Sequence, residues 1–137
     1  MLITVVLADD NEDHRTAVRF VLELAGDLVA IVGEAVDGQE ALELVRRERP
    51  DLVIADVVMP NLDGLELTAF IKRARPETKV IIVTAYGGAD FRAVARRNGA
   101  DAYVSKQDVA GELVPAIRRV VNRGRDGSTP VDPGPGI

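Results

Sequence analysis

Polar side chains stand where four apolar, strand-like stretches of the chain end. Asp9 and Asp10 follow ITVVLA, and Asp56 follows LVIA. Thr84 follows VIIV, and Lys106 comes just after AYVS. Carboxylates can hold a hard divalent cation, while a hydroxyl and an ammonium group can contact phosphate oxygens. This set of groups suits phosphoryl transfer, with Asp56 as the candidate nucleophile.

Each of these residues has a plainer explanation when it is taken alone. Asp10 and its neighbours could cap a helix, and Asp56 could be a turn residue before Pro60. Thr84 could be an ordinary strand-end hydroxyl, and Lys106 a solvated surface charge. Because all of them follow strands, and the ends of parallel strands meet at one edge of a sheet, a shared site is favoured.

The sequence lacks the glycine-rich loops that bind nucleotide phosphates. Neither G-x-G-x-x-G nor G-x-x-x-x-G-K-[S/T] occurs in it. The adjacent carboxylates of Asp9 and Asp10 would repel a phosphate unless a hard cation lay between them and it. We therefore expect a cation-dependent phosphoacceptor and not a dinucleotide-binding protein.

Short runs rich in Val and Ile alternate with amphipathic stretches, a pattern typical of parallel strands that are buried on both faces. Five strands are predicted, at residues 3–8, 28–33, 52–55, 80–84 and 102–104. Right-handed crossovers with helices on both faces then favour a doubly wound α/β sheet. Its ligand crevice should lie beyond the carboxyl ends of the strands.

Apolar residues recur at helical spacing in three of the segments between and after the strands. The predicted stripes are Ala17, Phe20, Val21 and Leu24 in the first helix, Leu67, Phe70, Ile71 and Ala74 in the third, and Leu113, Ile117, Val120 and Val121 in the fifth. Asp37 and Glu40 resemble a capping box that opens the second helix. Pro115 indicates that the fifth helix either starts late, near Gly111, or bends, and a late start is favoured.

The composition excludes several classes of protein. The chain of 137 residues contains no cysteine, so disulfide frameworks and thiolate metal sites are ruled out. A net charge of −5, with only 3 Phe, 2 Tyr and no Trp, opposes direct binding of nucleic acid by this chain. No apolar stretch approaches the ~20 residues that cross a bilayer, and no signal peptide is evident. We expect a cytoplasmic protein without membrane association.

One folded domain is predicted at residues 1–123. In the last 14 residues, 7 are Gly or Pro, and no apolar periodicity remains. Residues 124–137 are therefore predicted to be a flexible tail or the start of a linker. His14, the sole histidine, is predicted to be exposed among charged residues and to have no phosphodonor role.

Four motifs occur in a characteristic order: LADDNED, VIADVVMPNLDGLEL, VIIVTAY and NGADAYVSK. Over about residues 2–122 the chain strongly resembles the receiver domain of two-component response regulators. The resemblance implies a flavodoxin-like sheet of five strands in the order 2-1-3-4-5. It also implies that Asp9, Asp10, Asp56 and the backbone carbonyl of Val58 bind Mg²⁺.

The resemblance further implies that Asp56 accepts a phosphoryl group, which Thr84 and Lys106 then contact. Many receivers carry a proline after this lysine, whereas Gln107 follows here, as in receivers of nitrate-type and quorum-type helix-turn-helix regulators. Movement of Thr84 should let Tyr103 turn inward. That movement should reshape the surface of the fourth helix, fifth strand and fifth helix, through which related regulators form homodimers.

Two function classes follow from the resemblance. In the first, the chain is a switch that receives a phosphoryl group from a histidine kinase or phosphotransfer protein and then binds another protein. In the second, it is the receiver part of a DNA-binding regulator whose effector is not in this chain. A true hydrolase is disfavoured because Val58, two residues after Asp56, is not an acid. Val58 and Tyr86 should also hinder attacking water, so only slow self-dephosphorylation is expected.

Overall fold

Five parallel strands form the centre of the molecule. The computed structural model describes residues 2–85 and 87–125. The strands are β1 (Ile3–Ala8), β2 (Val29–Ala35), β3 (Leu52–Ala55), β4 (Lys79–Thr84) and β5 (Ala102–Ser105). They pair in the order β2-β1-β3-β4-β5, which confirms the predicted order. The predicted bounds are right for β1 and β3 and are shifted by one or two residues in the others.

Five α-helices connect or follow the strands, as the predicted α/β architecture requires. They are α1 (Glu12–Leu24), α2 (Gly38–Glu48), α3 (Gly64–Ala74), α4 (Ala89–Arg97) and α5 (Val109–Arg125). Helices α1 and α5 contact each other, and α2 contacts α3. All four residues of β3 are buried, as expected for a central strand covered on both faces. Among the described residues, no helix is long and apolar enough to cross a membrane.

Helix α1 buries a different stripe from the one predicted. Val18 and Leu22 are buried, whereas Phe20 is 60% and Leu24 72% exposed. Apolar residues cover so much of this helix that the pattern allows more than one inward face. The observed rotation also brings Arg15 and Arg19, four residues apart, to Glu34 of β2, with which they pair at 3.1 and 2.9 Å. Of the predicted stripe of α1, only Val21 packs against the core, and Ala17, Phe20 and Leu24 are exposed, so the prediction was wrong for these three.

The stripe of α3 is partly as predicted, and that of α5 fully so. Leu67 and Ile71 of α3 are fully buried, but Phe70 is 42% exposed and lies under the Arg73 guanidinium. All four predicted residues of α5 are buried. These α5 side chains join the residues of the central strands in one continuous apolar core.

Helix α5 begins earlier than Pro115 led us to expect. It starts at Val109, directly after a 3₁₀ turn over Lys106–Asp108, so Pro115 lies inside the helix. The favoured late start near Gly111 is thus wrong. Pro115 and Gly111 are both exposed, so water can satisfy the Gly111 carbonyl that lacks an amide donor. The helix runs to Arg125, two residues past the predicted domain end, and the remainder of the predicted tail lies outside the described residues.

Candidate functional site

The register of the sheet brings the strand-end residues to one edge. Ala8 of β1 pairs with Ala55 of β3, so the residues that follow them, Asp9 and Asp56, lie side by side. Strand β4 lies between β3 and β5, and its last residue, Thr84, pairs with Ser105 of β5, which directly precedes Lys106. Asp9 and Asp56 are each 5% exposed, and Thr84 is fully buried. The predicted meeting of these residues at the carboxyl edge is confirmed.

Three carboxylates form a cluster at this edge. Oxygen atoms of Asp9, Asp10 and Asp56 lie within 4.8 Å of one another. Asp10 is exposed, so solvent reaches the cluster. Three hard oxygen donors around one point fit a Mg²⁺ ion, which favours carboxylates and retained waters. Val58, whose carbonyl is predicted as a further ligand, is 51% exposed and lines a cleft together with Asp10 and Asp56.

The Lys106 ammonium points into the cluster. Its Nζ lies 2.9 Å from Asp56 Oδ2 and 3.8 Å from Asp9 Oδ2. The Lys106 side chain is only 24% exposed, which excludes its plainer explanation as a solvated surface charge. Thr84 and Lys106 line a cleft of about 200 Å³ together with Asp56 and Asp10. The cleft therefore offers carboxylate, hydroxyl and ammonium groups to one small anion with its cation.

Backbone contacts fix the Asp56 carboxylate. Its Oδ1 accepts a hydrogen bond from the Val57 N–H at 2.7 Å, while its own N–H donates to the Ala8 carbonyl at 2.9 Å. The first residue of α3, Gly64, donates its N–H to the Val57 carbonyl at 2.8 Å. A Cβ on Gly64 would lie 2.2 Å from the Asp56 carbonyl oxygen, so only glycine permits this close approach.

The loop that carries Asp56 is also tied to the start of α2. Asn61, at φ 69°, donates from Nδ2 to Asp37 Oδ2 at 3.0 Å. Asp37 is the N-cap of α2 and accepts the Glu40 N–H, which is one half of the predicted capping box. These hydrogen bonds hold the pKa of Asp37 below its usual 3.8. A complete capping box, which we did not predict, starts α3 at Asp63.

Asp9 is held by more contacts than the sequence indicated. Its Oδ1 accepts the Asn11 N–H at 2.9 Å, and its backbone carbonyl accepts from Arg15 Nη1 at 2.7 Å. Its Oδ2 contacts Nδ1 of His14. Burial raises the pKa of Asp9, but the His14 and Asn11 hydrogen bonds, with the nearby Lys106 charge, outweigh it and leave the pKa below its usual 3.8.

The predicted exposure of His14 is wrong. Its side chain is 15% exposed, because the first turn of α1 folds back over Asp9. Asn11 caps α1 by accepting the His14 N–H at 2.9 Å, so neither Asp9 nor Asp10 serves as the N-cap. No spacing pattern in the sequence indicates the contact of His14 with Asp9, because it depends on how the first turn of α1 folds back over β1.

Tyr103 lies in β5 and is 4% exposed. Its ring packs edge-on against Phe91 at 6.1 Å, and the Arg92 guanidinium lies 5.7 Å from its centre. Burial raises the pKa of Tyr103 above its usual 10.0, although Arg92 acts in the opposite direction. Within the described residues the buried hydroxyl makes no hydrogen bond. The predicted inward turn of Tyr103 stays a prediction, and Tyr86 lies outside the described residues.

Comparison with known proteins matches residues 5–118 to the family model described as the response regulator receiver domain. The chain is 40% identical over 124 residues to the transcriptional regulatory protein PdtaR of Mycobacterium tuberculosis, covering 89% of this chain and 58% of PdtaR. It is 36% identical over 120 residues to the response regulator GacA of Pseudomonas aeruginosa, covering 87% and 55%. The chain thus spans about half the length of these curated relatives.

Solved structures show the same fold. A DNA-binding response regulator of the LuxR family from Staphylococcus aureus superposes with a TM-score of 0.81 and 34% identity, covering 88% of this chain and 99% of that one. The response regulator domain of CheB from Thermotoga maritima gives a TM-score of 0.82 and 32% identity, covering 97% and 100%.

Proposed function

The chain belongs to the response regulator receiver domains of two-component systems, and on that premise we propose that it is a phosphorylation-dependent switch whose phosphoacceptor is Asp56. The observation that carries this proposal is the placement of Lys106 Nζ 2.9 Å from a buried Asp56 within a cluster of three carboxylates. Two buried carboxylates such as Asp9 and Asp56 are seldom placed side by side without a cation, because the pair otherwise bears a large desolvation and repulsion cost.

The residues that would hold Mg²⁺ are Asp9, Asp10, Asp56 and the backbone carbonyl of Val58. When bound, the ion supplies positive charge that offsets repulsion between the carboxylates and an incoming phosphoryl group. Asp56 offers an oxygen whose orientation is already fixed by the Val57 N–H. Positioning of this kind lowers the barrier because little rearrangement remains for the reaction itself.

The donor would be a phosphohistidine on a sensor kinase or phosphotransfer protein. A carboxylate oxygen of Asp56 forms a new O–P bond while the P–N bond of the donor breaks, and the leaving imidazole keeps the electron pair. Lys106 can contact the oxygens of the transferred phosphoryl group because it already lies beside Asp56. Thr84 lines the same cleft. Charge-assisted contacts of this type are stronger than neutral hydrogen bonds.

The chain should act on itself and on no other substrate. Val58 is apolar and 51% exposed at the mouth of the cleft, so it offers no general base to orient an attacking water. Hydrolysis of the phosphoaspartate is therefore proposed to be slow. The output is a change in the surface of α4, β5 and α5, through which a phosphorylation-dependent homodimer would form.

A second candidate function is favoured by the lengths of the relatives. The chain covers 58% of PdtaR, a transcriptional regulatory protein, and 55% of GacA. A DNA-binding response regulator of the LuxR family shares the fold. The domain would then control a DNA-binding effector encoded beyond Ile137, and the reading frame downstream of that codon tests this directly.

The test of phosphoacceptance is intact mass after incubation with Mg²⁺ and acetyl phosphate. We expect one added phosphoryl group, which is lost on chelation by EDTA and in Asp56→Asn. Asp27→Asn is the matched control, because Asp27 is exposed in the turn after α1, outside the acidic cluster. Labelling of Asp56→Asn at the level of the unmutated chain would overturn the proposal.

A further inference from the structure

The only histidine of the chain lies against a candidate metal ligand. Nδ1 of His14 contacts Asp9 Oδ2, and the His14 side chain is 15% exposed. Nε2 of the same ring is buried and makes no hydrogen bond within the described part of the chain. The mechanism proposed above assigns no role to this ring, although it touches the acidic cluster.

Hydrogen-bond chemistry determines whether the ring nitrogen that faces Asp9 carries a proton. An ionised carboxylate only accepts hydrogen bonds, so the nitrogen against it must carry a proton. The contacts therefore place a proton on Nδ1, which donates to Asp9 Oδ2.

The His14 ring cannot turn into the cavity beside it. This cavity of only about 10 Å³ is lined by Asp9, His14, Arg15, Asp56 and neighbouring apolar side chains. A space of this size holds about one water molecule and cannot accept an imidazole ring. The first turn of α1 fixes the backbone of His14, because its N–H donates to the Asn11 side chain.

Asp9 Oδ2 also has a competing partner. Lys106 Nζ lies 3.8 Å from this oxygen and 2.9 Å from Asp56 Oδ2. While His14 donates to Asp9 Oδ2, the ammonium remains closer to Asp56. If the histidine donor were removed, Lys106 could move toward Asp9 and occupy space at the mouth of the carboxylate cluster.

We propose that His14 is a positioning residue of the metal site: its Nδ1–H, acting with the Asn11 N–H on the other oxygen, holds the Asp9 carboxylate in its cation-binding orientation and keeps Lys106 on Asp56. The inference rests on the proposed function, since it assumes that the carboxylate cluster binds Mg²⁺. Partners that orient a metal ligand in this way commonly contribute about tenfold or more to metal affinity.

The test is the Mg²⁺ affinity in the absence of any phosphodonor. It is measured by titrating the chain with Mg²⁺ and recording the shifts of the backbone amide signals of Asp10 and Val57. His14→Leu removes the donor at similar volume and should weaken Mg²⁺ binding about tenfold. His14→Asn places an amide nitrogen where Nδ1 lies and should restore most of that loss. Urea unfolding without Mg²⁺ shows whether each variant is folded.

Unchanged Mg²⁺ affinity in a folded His14→Leu variant would overturn the inference, as would an Asn variant as weak as the Leu variant. Failure of the unmutated chain to bind Mg²⁺ would instead overturn the proposed function. The unmutated chain offers a second test, because its one histidine gives one set of ring ¹⁵N signals. We expect the pattern of a ring protonated at Nδ1, and a ring protonated only at Nε2 would overturn the inference.

Discussion

At the scale of single residues, the acidic cluster consists of carboxylates at strand ends, the Lys106 ammonium beside Asp56 and the His14 ring against Asp9. Asp9, Asp56 and Lys106 could be predicted, because strand ends share one edge and each of these residues follows a strand. The contact of His14 with Asp9 could not, since it depends on how the first turn of α1 folds back over β1. The need for glycine at position 64 could not be predicted either, because it depends on the close approach of Gly64 to the Asp56 backbone, which no local sequence pattern indicates.

Gly64→Ala tests that close approach. The added methyl group would lie 2.2 Å from the Asp56 carbonyl oxygen, so the loop must shift. We expect the free energy of unfolding to fall by about 1–3 kcal/mol, as for other overpacked sites. Mg²⁺ affinity should fall with it, because the Asp56 carboxylate moves. Urea denaturation and Mg²⁺ titration measure the two effects.

Gly111→Ala is the control for Gly64→Ala. A Cβ at Gly111 meets no atom within 4 Å, and alanine stabilises a helix by about 0.5–1 kcal/mol relative to glycine. This variant should therefore be as stable as the unmutated chain or more so. Equal stability of the Gly64 and Gly111 variants would contradict the steric account of the Asp56 loop.

At the scale of the elements, the strands and helices were predictable, but the rotation of α1 was not. Two apolar stripes overlap along α1, and the ion pairs of Arg15 and Arg19 with Glu34 of β2 accompany the observed choice. Partner residues in another element cannot be read from the periodicity of one helix. The stripe of α5 was predictable because polar residues limit its apolar surface to one face.

Alanine substitutions in α1 distinguish the two stripes. Leu22 is fully buried, so Leu22→Ala should lower the free energy of unfolding by about 2–5 kcal/mol. Leu24 is 72% exposed, and Leu24→Ala should change it by less than about 0.5 kcal/mol. Chemical denaturation of both variants measures the difference. A larger loss for Leu24→Ala than for Leu22→Ala would mean that the helix packs through the originally predicted stripe.

The N-cap of α2 should make stability depend on pH. The pKa of Asp37 in the folded chain lies below its usual 3.8, so its contribution is fully present above that pH and is lost as the pH falls through the folded value. Asp37→Ala should destabilise the chain at neutral pH. The gap between this variant and the unmutated chain should narrow as the pH falls below 3.8.

Asp37→Asn separates charge from capping in the same experiment. Asparagine still accepts the Glu40 N–H but does not titrate. At neutral pH, Asp37→Asn should therefore lower the free energy of unfolding by less than Asp37→Ala does. Urea unfolding at several pH values measures all three chains. A gap between the unmutated chain and Asp37→Ala that stays constant with pH would show that the ionised carboxylate contributes nothing.

At the scale of the whole molecule, the alternation of strands and helices predicted the doubly wound sheet, while the strand order came from resemblance to known receivers. Periodicity cannot give that order, because it does not record which strands are neighbours. The two routes agree on one consequence: β1, β3, β4 and β5 bring their ends to a common site.

Coupling between the site and the distant surface is a prediction at this scale. Thr84 ends β4, and Tyr103 of neighbouring β5 packs on Phe91 of α4. Binding of beryllofluoride with Mg²⁺, as a phosphoryl mimic, should increase self-association and alter amide exchange over residues 88–118. Thr84→Ala should still bind the mimic but show a weaker response, because a switch needs contacts that differ between its two states.

Sedimentation and hydrogen exchange measure that response, with Tyr103→Ala as the second variant. Tyr103→Ala removes the ring that would transmit the change and should reduce the response in the same direction. Identical association and exchange in the unmutated chain, with and without beryllofluoride, would mean that the α4, β5 and α5 surface does not carry the output.

The proposed switch requires that Asp56 receives the phosphoryl group. The most direct measurement treats the chain with acetyl phosphate and Mg²⁺, reduces it with borohydride, and locates the product by peptide mass. Borohydride converts the acyl phosphate of an aspartate into homoserine, which marks the residue that formed the covalent intermediate. We expect homoserine at position 56 alone. Homoserine at position 9 or 10, or none at position 56 in a fully labelled chain, would contradict it.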